Sequence, residues 1–183
     1  MTEVPVHADD PGRPPSRFFL EPASDTVAAQ TGEVGKLVEQ RRLLSEQLQA
    51  LALDRERTAA DRHAAIFALG DLGGGENLAF LAKHLALNLP VDLATSAEGQ
   101  ARAWPCRVAL AKAGWYSLPA VLESLKQQRS DEELLFSGSH LARCPLPVEA
   151  VSMLLRDELK RAEDPTHREN VRRVLESVFP SDP

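Results

Sequence analysis

Cysteine, aromatic residues, long apolar runs and excess positive charge are all scarce in this sequence, and each shortage closes off a class of protein. Two cysteines, Cys106 and Cys144, are too few for a disulfide framework or a zinc site of their own, so both are expected to be reduced and packed. Nine aromatic residues in 183, against abundant alanine and leucine, favour helices packed closely on helices over a sheet. No apolar run approaches the roughly 20 residues that cross a bilayer. The N-terminus carries acidic residues and prolines where a signal peptide would have an apolar core. A cytoplasmic protein with no membrane partner is expected. A net charge of -6 argues against broad binding to a phosphate backbone, which needs a concentrated positive field. Nucleic acid is therefore not the expected partner.

Chemistry-bearing motifs are missing as well. His7, His63, His84, His140 and His167 form no His-x-x-x-His pattern, and none has a cysteine at ligand spacing. No nucleophile elbow, phosphate-binding loop or dinucleotide fingerprint occurs. Gly73-Gly74-Gly75 follows a helical pattern, whereas a phosphate-cradling loop normally follows a strand. The adjacent carboxylates Glu132-Glu133 and Asp157-Glu158 point to different helix faces and cannot share a substrate. The sequence supplies no catalytic residue, metal site or cofactor, and the expectation is a protein that is not an enzyme.

What is present is organised around residues 61–89. Ala65, Ala68, Leu69 and Leu72 recur at three and four residues, which lays small apolar groups along one helix face. The glycine run then ends the helix, because the position past the last turn favours a positive φ. Leu78, Leu81, Leu85 and Leu89 supply a new stripe. Two apolar stripes joined by a tight turn make an antiparallel helix pair. A shift of 41 residues, from Gly73 to Gly114, also pairs Ala65 with Cys106, Ala68 with Ala109, and Leu69 with Leu110, so the unit is repeated. Over Arg62, Ala65, Ala68-Leu69-Gly70, Leu72-Gly73, Leu78, Leu81 and Leu85, the chain resembles a HEAT-like repeat of the kind found in the phycobilisome-lyase group. That resemblance implies an α-solenoid, in which helix pairs stack and their inner helices line a surface for a partner.

The remaining segments fit around this unit. Residues 1–25 hold five prolines and read as a disordered tail. Within it, Phe18 and Phe19 fold back on the body or dock into a partner's groove. Residues 26–57 read as a long amphipathic helix, with Val34, Leu37, Arg41, Leu44, Leu48 and Leu51 at heptad spacing. Packing on the first repeat is the expected use of that seam; a homodimer through residues 34–51 is the alternative. Residues 58–180 form the repeat domain. Thr95 with Glu98, and Ser130 with Glu133, have capping-box spacing. The second repeat is expected to run from Thr95 through Pro105 to Ala113, and then from Pro119 to about Gln128. A third pairs Asp131–Ala142, weakened by Gly138, with a helix from Pro147 or Val148 to about Ala162. That helix presents Val151, Leu154, Leu155 and Leu159. A last helix, with Val171, Val174, Leu175 and Val178 inward, caps the stack.

The fold class expected is all-α, a short solenoid of antiparallel helix pairs, and the function a non-catalytic adaptor or scaffold for another protein. Trp115 and Tyr116 follow the second turn glycine, where large aromatics with a polar tip make binding anchors, whereas Trp104 is expected to fill space between repeats. Lys83, His84, Glu123 and Lys126 fall off the leucine stripes and are the expected partner-facing residues. The resembled group includes bilin lyases, and HEAT-like folds also serve certain DNA glycosylases, so an enzyme or enzyme subunit is the alternative. No lyase's functional residues match positions here, and the acidic charge opposes a glycosylase.

Overall fold

Small residues at helical spacing make the helices of this chain approach closely, and the computed structural model, which describes residues 24–90 and 103–178, is helical throughout them. The elements are α1 Ser24–Leu53, α2 Ala59–Leu72, α3 Gly75–Lys83, α4 Pro105–Lys112, a 3-10 turn Gly114–Ser117, α5 Leu118–Ser124, α6 Asp131–Ala142, α7 Val148–Arg161 and α8 Pro165–Val178. No strand occurs among the described residues. None of these helices is long and apolar enough to cross a membrane. Phe18, Phe19, Thr95, Glu98 and most of the loop after Pro90 lie outside the described residues.

Residues 1–40 and 41–183 form two units. In the first, Val34, Leu37 and Val38 are exposed. Helix α1 runs through Gly32 and Gly35 without a break but stops at Leu53, short of the expected Arg57. Asp54 ends it, its carboxylate accepting the Glu56 N–H at 2.9 Å.

In the second unit, the expected helix pair is formed. Thr58 caps α2, its hydroxyl accepting the Asp61 N–H, and Gly73 and Gly74 close it with φ of 59° and 87°. Leu78, Leu81, Leu85 and Leu89 are all buried, although α3 ends at Lys83 and the last two leucines follow it. Helix α2 packs on α4, and α3 on α5. At the first contact a Cβ on Gly70 would stand 3.0 Å from the Ala109 Cβ, so glycine sets the approach. Buried Asn77 locks the end of α1 to this pair, donating to Ser45 Oγ (3.0 Å) and Gly73 O (2.9 Å) and lying 3.2 Å from Gln49 Nε2.

The second helix pair ends sooner than its sequence suggests. Pro105 begins α4 at its first turn, in keeping with its missing N–H. Helix α5 ends at Ser124 instead of continuing to Gln128. Short-range bonds from Leu125, Lys126 and Gln127 N–H tighten the chain there, and Arg129 Nε takes the Ser124 carbonyl at 2.9 Å. The Ser130–Glu133 capping box is complete and starts α6 at Asp131.

Beyond that point the partner choice differs from expectation. Helix α6 packs more extensively with α8 than with α7. Asn170 of α8 donates to the Leu125 and Gln127 carbonyls at 2.9 and 2.8 Å, taking acceptors that α5 left free. Gly138, which the sequence suggested as a weak point of α6, is where α8 comes closest. A Cβ there would lie 2.8 Å from Val178 Cγ2. On α7, Val151 and Leu155 are buried, but Leu154 is exposed together with Val148 and Met153. On α8, Val171 and Val174 are buried, with Leu175 and Val178 half-buried.

Candidate functional site

The two glycine turns and the short α5 leave low ground between α3 and α5, because the side chains that would fill it are glycine or alanine. Two depressions lie along this seam. One, of about 700 Å³, is walled by Gly73, Gly74, Leu78, Tyr116 and Pro119. The other, of about 570 Å³, is bounded by Lys83 and His84 of α3, by Glu46, Gln49 and Leu53 at the end of α1, and by Arg129. Ala79, Ala120 and Glu123 belong to both, so the two run into each other as one groove.

Five of the residues singled out in the sequence are on or beside this groove. Lys83 is exposed and makes no ion pair with any described residue. Glu123, also exposed, is paired to Lys126 at 2.6 Å, and the hydrogen bond between them raises the lysine's pKa. His84 caps α3, its ring 4.6 Å from that of Phe80. Burial, then the Lys83 and Arg129 charges, lowers its pKa below the usual imidazole value despite the opposing Glu133. Its uncharged form is thus favoured near neutrality. Tyr116 stands in the apolar wall with 64% of its surface exposed, and Trp115, 51% exposed, stacks on it with centroids 3.9 Å apart. Gly114, with φ of 57°, turns the chain so that both rings leave the body on the 3-10 turn. Phe18 and Phe19 fall outside the described residues.

Arg129, which was not singled out in the sequence, organises the far end of the groove. It is buried, and its Nη1 donates to Lys83 O at 2.9 Å and to Glu133 at 3.1 Å. Burial alone would raise the Glu133 pKa. The Ser130 N–H and hydroxyl, with Arg129, hold it below the usual carboxylate range instead. The arginine's Nη2 is buried and has no hydrogen-bond partner among the described residues. An Arg at i and a Glu at i+4 across a helix start was the available clue.

Elsewhere, Trp104 packs edge-on to Phe136 of α6 at 4.7 Å, the space-filling contact expected of it. A serine and a histidine also meet, which no sequence spacing indicated. Ser117 Oγ is 2.7 Å from His140 Nε2 and 2.6 Å from Gly114 O. The hydroxyl has one proton, which goes to the carbonyl, so Nε2–H is the donor to Oγ. Such a serine is held as a donor to the backbone and is not activated as a nucleophile. Burial, then the charge of Arg107, pushes His140 down to about 4. Cys106 and Cys144 are buried and unpaired, and burial raises the Cys106 thiol to about 12, so it stays protonated. Among the described residues no three His, Cys, Asp or Glu side chains gather as a metal-ligand set.

Comparison with family models, curated proteins and solved structures finds no match to this chain.

Proposed function

We propose that this chain is a non-catalytic protein-binding adaptor, a short HEAT-like stack of helix pairs whose α3–α5 face takes a segment of another protein. The continuous groove carries this reading. An apolar end with an exposed aromatic pair beside it runs into a polar end where Lys83, without an ion pair among the described residues, stands near Glu46, Glu76 and Glu123. That suits a peptide or helix that buries an apolar anchor beside Tyr116 and sets a carboxylate near Lys83. The packing of first helix on first helix, α2 on α4, and of second on second, α3 on α5, is how a solenoid stacks, and the 41-residue repeat supports it. Aromatic anchors at such sites cost about 2 kcal/mol or more when truncated, roughly thirty-fold in affinity.

The test is affinity capture of partners by the intact chain, beside Trp115→Ala/Tyr116→Ala and Lys83→Glu variants, followed by titration of the purified partner. Losses of tenfold or more in both variants, with unchanged circular dichroism, are expected. Equal affinity in all three would remove the α3–α5 face from the proposal. A second use of the molecule, as a homodimer through residues 34–51, draws on the exposure of Val34, Leu37 and Leu44. Light scattering decides it: a mass of twice 20.0 kDa supports the dimer, and a single mass rejects it.

A further inference from the structure

Away from that groove, the start of α4, the end of α6 and the Cys144-Pro145 turn bound a cavity of about 390 Å³. Arg107 and Arg143 line it, and among the described residues no Asp or Glu does. The other exposed or buried guanidinium groups of this unit commonly have carboxylates to answer them: Arg57 has Asp54, Arg129 has Glu133, and Arg172 has Glu169 and Glu176. Neither cavity arginine has such a partner among the described residues. What Arg107 does have is a ring beneath it, with its Cζ 4.0 Å from the Phe136 centroid. Trp104 buttresses that ring from the side. The guanidinium is therefore held over the ring by a cation–π contact, which supplies no oxygen acceptor to its N–H donors.

Holding two cations together without a counter-charge is unfavourable, and the lowered pKa of Arg107, from burial and then from Arg143, reports it. The end of α6 adds back only about half a negative charge, which two full positive charges exceed. His140 is neutral near pH 7 and contributes no charge of either sign. Apart from Ser139, whose hydroxyl donates to the Leu135 carbonyl, the remaining wall is largely apolar, with Trp104 and Val108 prominent. A volume near the lower end of small-molecule sites, which run from about 300 to 1,000 Å³, is too large for a bare inorganic ion to fill.

We propose that this cavity binds a small organic anion, a phosphate or carboxylate on a compact apolar body, with Arg107 and Arg143 holding the oxyanion and Trp104 and Val108 against the body. Arginine suits the role because its planar fork meets an oxyanion through two parallel hydrogen bonds.

The chain's two tryptophans make the test direct, since Trp104 lines the cavity and Trp115 does not. Indole N–H resonances of the full chain are followed while phenyl phosphate, benzoate or neutral benzyl alcohol is added. A saturable shift of Trp104 with an anionic probe is expected, with Trp115 unmoved and benzyl alcohol without effect. The stronger of the two anions identifies the headgroup. Arg107→Gln and Arg143→Gln should each weaken binding at least tenfold; the Arg143 side chain is exposed and has no carboxylate partner among the described residues, so that variant keeps its fold. No saturable shift at about 10 mM of either anion, which corresponds to binding weaker than roughly 3 kcal/mol, would overturn the proposal. So would equal response to benzyl alcohol, or undiminished binding by Arg143→Gln.

Discussion

His140 shows what one half-buried side chain can do to the behaviour of the whole. Its imidazole donates to Ser117, and burial followed by the Arg107 charge holds its pKa at about 4, against roughly 6.5 in an unfolded chain. Between those values the unfolded chain binds a proton that the folded one refuses. Stability must therefore fall as pH drops through this window. From pH 7 to pH 5 the loss from this residue is about 2 kcal/mol. Urea unfolding at both values should show it, with a loss smaller by about that amount in His140→Asn. An equal loss in the variant would mean that the ring is charged or exposed when folded. His84, lowered by burial and by Lys83, adds to the slope in the same direction.

At the scale of helices, the close approaches are made by glycine. Gly138 of α6 faces Val178 at a distance where a Cβ would stand 2.8 Å away, whereas Gly35 of α1 has nothing within 4 Å. Alanine is the better helix former by about 1 kcal/mol, but overpacking costs about 1–3 kcal/mol. Gly138→Ala is expected to lower the unfolding free energy by about 1 kcal/mol net, while Gly35→Ala raises helicity by circular dichroism. A stabilised Gly138→Ala would show that α8 is not seated against α6. This contrast also explains what the sequence could tell. The turn glycines, the capping box at Ser130 and the leucine stripe of Leu78, Leu81, Leu85 and Leu89 were legible because each rests on neighbours in the chain. The seat of α8 on α6 was not. It depends on Gly138 meeting Val178 and on Asn170 reaching the carbonyls of Leu125 and Gln127, pairs far apart in sequence whose types carry no periodicity. Read locally, Gly138 is a weakness; in place, it is a contact.

Across residues 41–183, the site follows the same division. Lys83, His84 and Glu123 were marked because they leave the leucine stripes and Tyr116 because it follows the turn glycine, and the folded chain brings all four to one groove. Arg129 escaped notice because its role lies in joining the Lys83 carbonyl to Glu133, a contact between repeats. The neighbouring cations Arg107 and Arg143 escaped for a like reason, being 36 residues apart (143 − 107), one in α4 and the other just past the end of α6. The groove has two unlike ends, with exposed aromatic rings at one and Lys83 among glutamates at the other, and the proposed adaptor role rests on that. Hydrogen exchange of the full chain, alone and with a captured partner, tests it most directly. The account predicts slowed exchange at residues 75–84 and 114–127. Protection confined to α7 and α8, with those two segments unchanged, would contradict it.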